Sequence, residues 1–167
     1  MTPTHPEMVS ALAKPGKEIL DSMTLGNFNL LREVTEEAIA VGTLLDTVKK
    51  QVIYNKVGGF KHFPSRIIPG VPLTAEQCDL LHMALGIFGE AAEVLESVHN
   101  YIFKEEPLDE INLIEESGDI EFYHEGLRQS LNISRDEVLA QNIAKLSVRY
   151  EGFQYSDQAT QTRADKA

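Results

Sequence analysis

Apolar residues recur at helical spacing in two long stretches of the chain. From about Phe28 to Asn55 they return every three or four positions for about seven turns, and a second such stretch runs from Leu81 to about Phe103. Shorter helical patterns follow near residues 111–131 and 139–150. No run shows the strict alternation of a half-buried strand. The pattern predicts an all-α fold, a bundle of four or five helices.

Capping patterns predict where the later helices begin. Thr74 and Gln77 form a capping box before the central helix, Asp109 can cap the next helix, and Ser134 and Glu137 form a second capping box. The helix after Asp109 is expected to make its apolar contacts through seven residues: Ile111, Leu113, Ile114, Ile120, Phe122, Leu127 and Leu131.

Prolines and glycines divide the chain into segments. Residues 1–24 are expected to form only short helical pieces on either side of Pro15 and Gly16. The helical domain is expected to span residues 25–155, with a proline-containing loop at 57–73. Residues 156–167 are a polar tail, which is expected to pack loosely or to be disordered.

Composition narrows the class of partner. The 167 residues are enough for one domain with an ordinary core, and the net charge of −11 argues against binding a nucleic-acid polymer. The single cysteine, Cys78, rules out an internal disulfide and is expected in the core. Residues 1–6 carry no basic segment, and no apolar run approaches the roughly twenty residues of a membrane span. A cytoplasmic protein without a membrane partner is expected.

Two pairs of carboxylates carry the candidate chemistry. Glu90 and Glu93 lie three residues apart, as do Glu116 and Asp119, so each pair occupies one helix face about one turn apart. Two such helices packed side by side would bring four carboxylates together. Carboxylate oxygens are the ligands that Mg²⁺ and Mn²⁺ prefer. The alternative interpretation is a solvated acidic surface.

The surroundings of the first pair favour a site over a solvated surface. Solvated acidic faces usually carry Lys or Arg four residues further on, but residues 81–103 contain neither. Gly86 and Gly89 share the acidic face, although each glycine costs about 1 kcal/mol relative to alanine inside a helix. They suggest close approach by a helix, a metal or a ligand, and Gly118 repeats the arrangement beside Glu116.

The last helix carries groups that suit phosphates. Asn142, Lys145 and Arg149 fall on one helix face, beside an apolar stripe that ends at Tyr150. Lys and Arg suit the charge of a polyphosphate. Together with a metal held by carboxylates, they describe a site for a nucleotide and its metal ions.

The order of these motifs resembles a known family. Glu90-Ala-Ala-Glu93, a spacer of 22 residues, Glu116-Ser-Gly-Asp119 and a later helix with Asn142 and Lys145 resemble the MazG-like all-α nucleoside triphosphate pyrophosphohydrolases, which are related to dimeric dUTPases. The amino-acid sequence from about Leu80 to Tyr155 looks most like that of members from bacteriophages.

The resemblance implies an activity and a set of roles. Members hydrolyse a nucleoside triphosphate, usually a deoxynucleotide, to the monophosphate and pyrophosphate with Mg²⁺, which Mn²⁺ can replace, and dGTP is a candidate substrate. By resemblance, the metal ligands are Glu90, Glu93, Glu116 and Asp119, and Glu93 or Glu115 activates the water. The substrate contacts are Asn142, Lys145, Arg149 and Tyr150. A homodimer or homotetramer is implied, and a phage-encoded member would act in the host cytoplasm.

One segment departs from the phage pattern. Phage-type relatives follow the first acidic pair with Asp, Lys-Lys and Ile-Tyr-Asn-Lys, whereas this chain has that wording one helix earlier, at Asp46, Lys49, Lys50 and Tyr54. Either residues 25–72 are an insertion, or the first long helix supplies these contacts, with Lys49 and Tyr54 touching substrate. Asp46, Lys49 and Lys50 can also be interpreted as surface charges.

Two other functions stay open. Glu96 with His99 and Glu121 with His124 have the Glu-x-x-His wording of di-iron carboxylate bundles. On its helix, however, His124 is directed well away from Glu116 and Asp119. One metal centre therefore cannot use both the four carboxylates and the two Glu-x-x-His pairs. The third possibility is a nucleotide-binding or regulatory bundle without catalysis.

Overall fold

The computed structural model describes residues 3–54, 56 and 73–166. Over these residues the regular structure is entirely helical, which confirms the all-α prediction. The helices are α1 (His5–Leu12), α2 (Gly16–Ser22), α3 (Leu25–Val52), α4 (Ala75–Phe103), α5 (Glu110–Leu131), α6 (Arg135–Arg149) and α7 (Asp157–Thr162). Short 3-10 turns follow at Glu151–Phe153 and Ala164–Lys166. The loop expected at 57–73 lies, apart from its last residue, outside the described residues.

The predicted caps begin the helices α4, α5 and α6. The side chain of Thr74 accepts a hydrogen bond from the amide of Gln77 at 3.1 Å, and Asp109 accepts one from the amide of Asn112 at 3.0 Å. Ser134 accepts one from the amide of Glu137 at 3.2 Å, and the Glu137 carboxylate accepts the Ser134 amide in return. These bonds satisfy amides that have no partner inside the helix.

The chain forms two compact units. The central unit is Leu25–Asn132, in which α3 and α5 both pack against α4. The terminal unit combines Met1–Thr24 with Ile133–Ala167 and therefore contains α1, α2, α6 and α7. Each unit is described by itself below.

The terminal unit has a small apolar interior and an ordered C-terminal segment. Met8 of α1 and Tyr150 at the end of α6 are buried. The Tyr150 hydroxyl lies 2.8 Å from the Thr160 hydroxyl, and Asp165 accepts two hydrogen bonds from Arg149 at 2.6 and 2.7 Å. Most of residues 156–164 are exposed, but they form α7 and the turn that follows it, and these contacts join that segment to the end of α6.

The central unit buries polar groups and exposes apolar ones. Its buried side chains include Asp46 and Lys49 of α3, Glu90 of α4, and Glu116 of α5. The apolar residues of α5 that were expected to make core contacts divide into two groups. Leu113, Ile120 and Leu127 are half-buried, whereas four are exposed: Ile111 at 73%, Ile114 at 72%, Phe122 at 64% and Leu131 at 50%. Periodicity therefore did not predict that polar residues such as Glu116 would be more deeply buried than these.

Two further observations concern the whole described chain. Cys78 is exposed, which contradicts its expected place in the core, because residues 73–79 at the start of α4 are all exposed. Along the described ranges, none of the helices combines the length and the hydropathy needed to cross a membrane.

Candidate metal centre

Close helix packing brings the acidic faces of α4 and α5 together. A Cβ atom added to Gly86 would lie 2.2 Å from the ring of Tyr123, and one added to Gly42 would lie 2.1 Å from the Cβ of Ala92. The absence of these side chains lets α5 and α3 approach α4. The expectation for Gly118 is wrong, because within the described residues an added Cβ there would meet no atom closer than 4 Å.

Three of the four predicted ligands converge. Glu90, Glu116 and Asp119 each offer a carboxylate oxygen, and these oxygens lie within 4.8 Å of one another. We call these three residues the acidic cluster. Glu90 and Glu116 are each 8% exposed, whereas Asp119 lies at the solvent-exposed side. Glu93, one turn after Glu90, is half-buried and lies outside this group of three.

Burial and neighbouring negative charges raise the proton affinity of two carboxylates, Glu116 and Glu93. Burial, the charge of Glu93 and a hydrogen bond with Glu90 raise the pKa of Glu116 to about 7. Burial and the charges of Glu90 and Asp46 raise the pKa of Glu93. Both carboxyls are therefore short of positive charge in this arrangement. A divalent cation would relieve that repulsion, and the donor set of carboxylate oxygens suits Mg²⁺ or Mn²⁺.

A lysine from α3 lies against the acidic cluster. The Lys49 ammonium is 3.1 Å from Asp46 Oδ1, 3.1 Å from Glu90 Oε1 and 3.4 Å from the Tyr123 hydroxyl. Burial lowers the pKa of Lys49, but hydrogen bonds to Asp46 and Glu90 outweigh burial and raise it. Interpreting Asp46 and Lys49 as surface charges is therefore wrong, because both are buried. The cation that α4 lacks comes from α3.

A second lysine extends this arrangement toward the surface. Lys50 pairs with the other oxygen of Asp46, and its side chain is 42% exposed. Burial raises the pKa of Asp46, but hydrogen bonds from Lys50 and Lys49 outweigh burial and lower it. The ammonium groups of Lys49 and Lys50 thus hold Asp46 ionised beside the acidic cluster.

Aromatic side chains continue the hydrogen-bonded network beyond Lys49. The Tyr54 hydroxyl lies 2.7 Å from His82 Nε2 and 3.4 Å from the Tyr123 hydroxyl. The Lys49 ammonium also lies 4.9 Å from the centre of the Tyr123 ring. A line of contacts therefore leads from His82 through Tyr54 and Tyr123 to Lys49 and Glu90.

His82 and Tyr123 were not among the predicted site residues, although helical spacing carried a signal for both. Tyr123 follows Asp119 by four residues, which places both on one face of α5. His82 precedes Gly86 by four and Glu90 by eight, which gives the same relation on α4. The pairing of Asp46 with this face carried no such signal, because it depends on how α3 packs.

The other residues predicted to activate water or to bind substrate differ in their exposure and in their partners. Glu115 is exposed, next to buried Glu116. The remaining four residues belong to the terminal unit: Asn142 is half-buried, Lys145 is exposed, Arg149 pairs with Asp165, and Tyr150 is buried. They are not members of the acidic cluster.

The histidines of the di-iron alternative do not join a comparable cluster. His99 is buried, with Nδ1 2.9 Å from the Thr35 hydroxyl and Nε2 3.5 Å from Glu36. Across residues 3–54, 56 and 73–166, the acidic cluster is the group of three or more such ligands that meets the 4.8 Å spacing. The Glu96, His99, Glu121 and His124 set is not gathered in this way.

The fold and the acidic cluster define a helical protein with a candidate divalent-cation centre. No protein-family model, curated protein or solved structure matches the chain significantly. The MazG-like resemblance therefore depends on the motif residues and their spacing.

Proposed function

We propose that this protein is a metal-dependent nucleoside triphosphate pyrophosphohydrolase that releases the monophosphate and pyrophosphate. The observation that carries the proposal is the convergence of Glu90, Glu116 and Asp119 within 4.8 Å, from two helices with the spacing of that family. A deoxynucleoside triphosphate is the expected substrate, with dGTP as one candidate, and control of the deoxynucleotide pool is the corresponding role.

Mg²⁺ is the proposed cofactor, with Mn²⁺ able to replace it. Glu90, Glu116 and Asp119 would hold it, with Glu93 completing the set from the next turn of α4. When bound, such an ion lowers the pKa of a water molecule and neutralises charge that develops on the phosphates.

Glu93 is the preferred proton acceptor for the attacking water. It is half-buried beside the cluster, and burial together with the charges of Glu90 and Asp46 raises its pKa, which makes the carboxylate a better base. Glu115 is the alternative acceptor and is exposed on the adjacent helix. Replacing each in turn distinguishes them.

Cationic and polar groups are proposed to bind the substrate. Lys50 is the partly exposed ammonium beside Glu93, so it can attract a polyphosphate toward the acidic cluster. Tyr54 is exposed and can contact the nucleoside. Asn142, Lys145, Arg149 and Tyr150 keep the roles that the resemblance implies. Lys49, in contrast, is 1% exposed and already donates to protein groups.

The exposed apolar faces favour a homo-oligomer. Leu30 and Val34 of α3, Phe88 of α4, and Ile114 and Phe122 of α5 are exposed large apolar residues on the central unit. Large apolar side chains left in water are common at protein interfaces, and an interface between two copies of one chain uses the same residues on both. We propose a homodimer or homotetramer.

An assay of nucleotide turnover tests the proposal. The full chain is incubated with each common ribonucleoside and deoxyribonucleoside triphosphate and Mg²⁺ or Mn²⁺, and monophosphate and pyrophosphate are measured. Activity should vanish with chelator and fall about 100-fold or more in Glu93→Gln and Asp119→Asn. Glu110→Gln, an exposed carboxylate at the start of α5, is the matched control and should keep wild-type activity.

The outcomes separate the competing functions. Absence of turnover of every nucleotide, or full activity in both site variants, contradicts the hydrolase. Tight nucleotide binding without turnover would instead identify a non-catalytic bundle. Iron-dependent colour with oxygen consumption would identify a di-iron protein.

A further inference from the structure

Lys49 is a fully enclosed cation at the edge of the acidic cluster. It is 1% exposed, and its ammonium contacts Asp46 at 3.1 Å, Glu90 at 3.1 Å and the Tyr123 hydroxyl at 3.4 Å. An ammonium has three protons to donate, and these three contacts use them. Such a side chain has no donor left for a substrate in this arrangement.

Glu90 is shared between two sets of partners. One of its oxygens accepts the Lys49 hydrogen bond, and the same carboxylate belongs to the group whose oxygens lie within 4.8 Å. A cation bound by that group would attract Glu90 and repel the Lys49 ammonium. The ammonium and the metal ion therefore compete for one carboxylate.

The position of Lys49 also explains how the acidic faces can pack without a metal. A buried carboxylate without a partner is costly, and α4 carries no Lys or Arg from residue 81 to residue 103. Lys49 supplies the missing charge from α3, across 41 positions of the chain. The ammonium lies next to Gly89, where an added Cβ would be 3.6 Å from the nitrogen, an ordinary contact distance.

We propose that Lys49 is the resident counter-cation of the acidic cluster, a positioning residue that holds Glu90 in place before a divalent cation binds and weakens the binding of that cation. The inference rests on the proposed metal centre. It assigns Lys49 a role in setting metal affinity and not a contact with substrate. A lysine that only joins helices would stabilise the fold without opposing the metal.

The test compares Lys49→Met with Lys50→Met in the full chain. Both substitutions remove one ammonium of similar length next to Asp46, but Lys49 contacts Glu90 directly whereas Lys50 pairs with the far oxygen of Asp46. Mn²⁺ affinity is measured by titration calorimetry, and thermal unfolding is followed in chelator and in Mn²⁺. Circular dichroism checks that each variant is folded.

Lys49→Met should melt at a lower temperature than wild type in chelator, because Glu90 and Asp46 lose their shared partner. It should bind Mn²⁺ about tenfold more tightly and gain more thermal stability from Mn²⁺. Lys50→Met should change Mn²⁺ affinity less than threefold. Equal gains in both variants, or unchanged or weaker binding in Lys49→Met, would overturn the proposal.

A measurement on the wild type covers the case in which Lys49→Met does not fold. The Lys49 ammonium is observed by nitrogen-15 NMR, where burial should make its protons exchange slowly. Addition of Mg²⁺ should shift that signal or hasten its exchange, since Glu90 is drawn away, and an unchanged signal at saturating Mg²⁺ would refute the competition.

The same data distinguish this inference from the proposed function. Metal binding with the expected Lys49 effect but without nucleotide turnover supports the counter-cation and rejects the hydrolase. Failure of wild type and Lys49→Met alike to bind Mn²⁺ rejects both. If Lys49→Met binds Mn²⁺ and wild type does not, Lys49 opposes the metal strongly enough to prevent its binding, which supports the counter-cation proposal.

Discussion

The two faces of α4 differ in which side chains they bury, and the pattern is the reverse of that in most helices of globular proteins. On the inner face, Gly86 and Glu90 are buried against neighbouring helices. On the opposite face, Leu81, Phe88 and Ile102 are exposed. Charged side chains are normally exposed and large apolar ones normally buried. Here each face has the surroundings expected of the other.

The comparison shows that each face needs a partner that the helix itself does not provide. Burying Glu90 is costly unless a positive group compensates it, and Lys49 from α3 supplies that group. Exposing Phe88 and Ile102 leaves apolar area in water, and another surface must cover it to recover the hydrophobic free energy. The buried carboxylates of the inner face support the proposed metal centre, and the exposed apolar residues of the outer face support the proposed homo-oligomer.

The exposed apolar residues of the central unit, which include Ile114 of α5 as well as the outer face of α4, give the largest expected effect. The wild-type chain should sediment as a dimer or tetramer at micromolar concentration, and Ile114→Glu should dissociate it, because a charge on the exposed apolar surface cannot be desolvated cheaply. Gln141→Glu adds the same charge at an exposed polar position of α6 and should leave the assembly intact. Analytical ultracentrifugation measures both. A monomeric wild type would contradict the proposed role of the outer face.

Two glycines sharpen the contrast between close packing and open space. Gly86→Ala should lower the free energy of unfolding by about 1–3 kcal/mol, because the new Cβ would meet the Tyr123 ring at 2.2 Å. Gly118→Ala should raise it by up to about 1 kcal/mol, because alanine favours the helix and nothing described lies within 4 Å. Chemical denaturation of the chelated protein measures both. Effects of the same sign would show that α5 does not approach α4 as described.

Proton binding at Glu116 gives a smaller effect. Its pKa is raised from 4.5 to about 7 by burial, the Glu93 charge and the hydrogen bond with Glu90. Between these values the folded state holds more protons than the unfolded chain, so this group makes the free energy of unfolding fall as pH rises from about 4.5 to about 7. Glu116→Gln should flatten that fall in chelator.

The control for this pH dependence is Glu115→Gln, which alters the exposed neighbour of Glu116. It should keep the wild-type slope of stability against pH. An identical slope in wild type and Glu116→Gln would mean that crowding of the carboxylates does not affect the stability of the folded state.

Local sequence signals predicted the elements well. Capping boxes at Thr74 and Ser134 gave the starts of α4 and α6, because a cap depends on residues within one turn. The spacing of Glu116 and Asp119 likewise predicted a shared face, since helix geometry is fixed over a few residues. The absence of Lys or Arg near Glu90 correctly indicated that this face is not a simple solvated surface.

Features that depend on long-range packing could not be predicted in the same way. The pairing of Lys49 with Glu90 joins two helices, and no local pattern gives the register between them. Periodicity also cannot tell which face of α5 packs inward, so the exposure of Ile111 and Ile114 was not predicted. Cysteine is usually a buried residue, but Cys78 lies in the first turn of α4, where the side chains are exposed.

The most direct test of the metal centre is the position of Mn²⁺ in crystals of the full chain. We expect an anomalous difference peak with carboxylate oxygens of Glu90, Glu116 and Asp119 between about 2.0 and 2.3 Å away. A peak at other residues, or none at these three at saturating Mn²⁺, would contradict the assignment of the inner face of α4 as a metal centre.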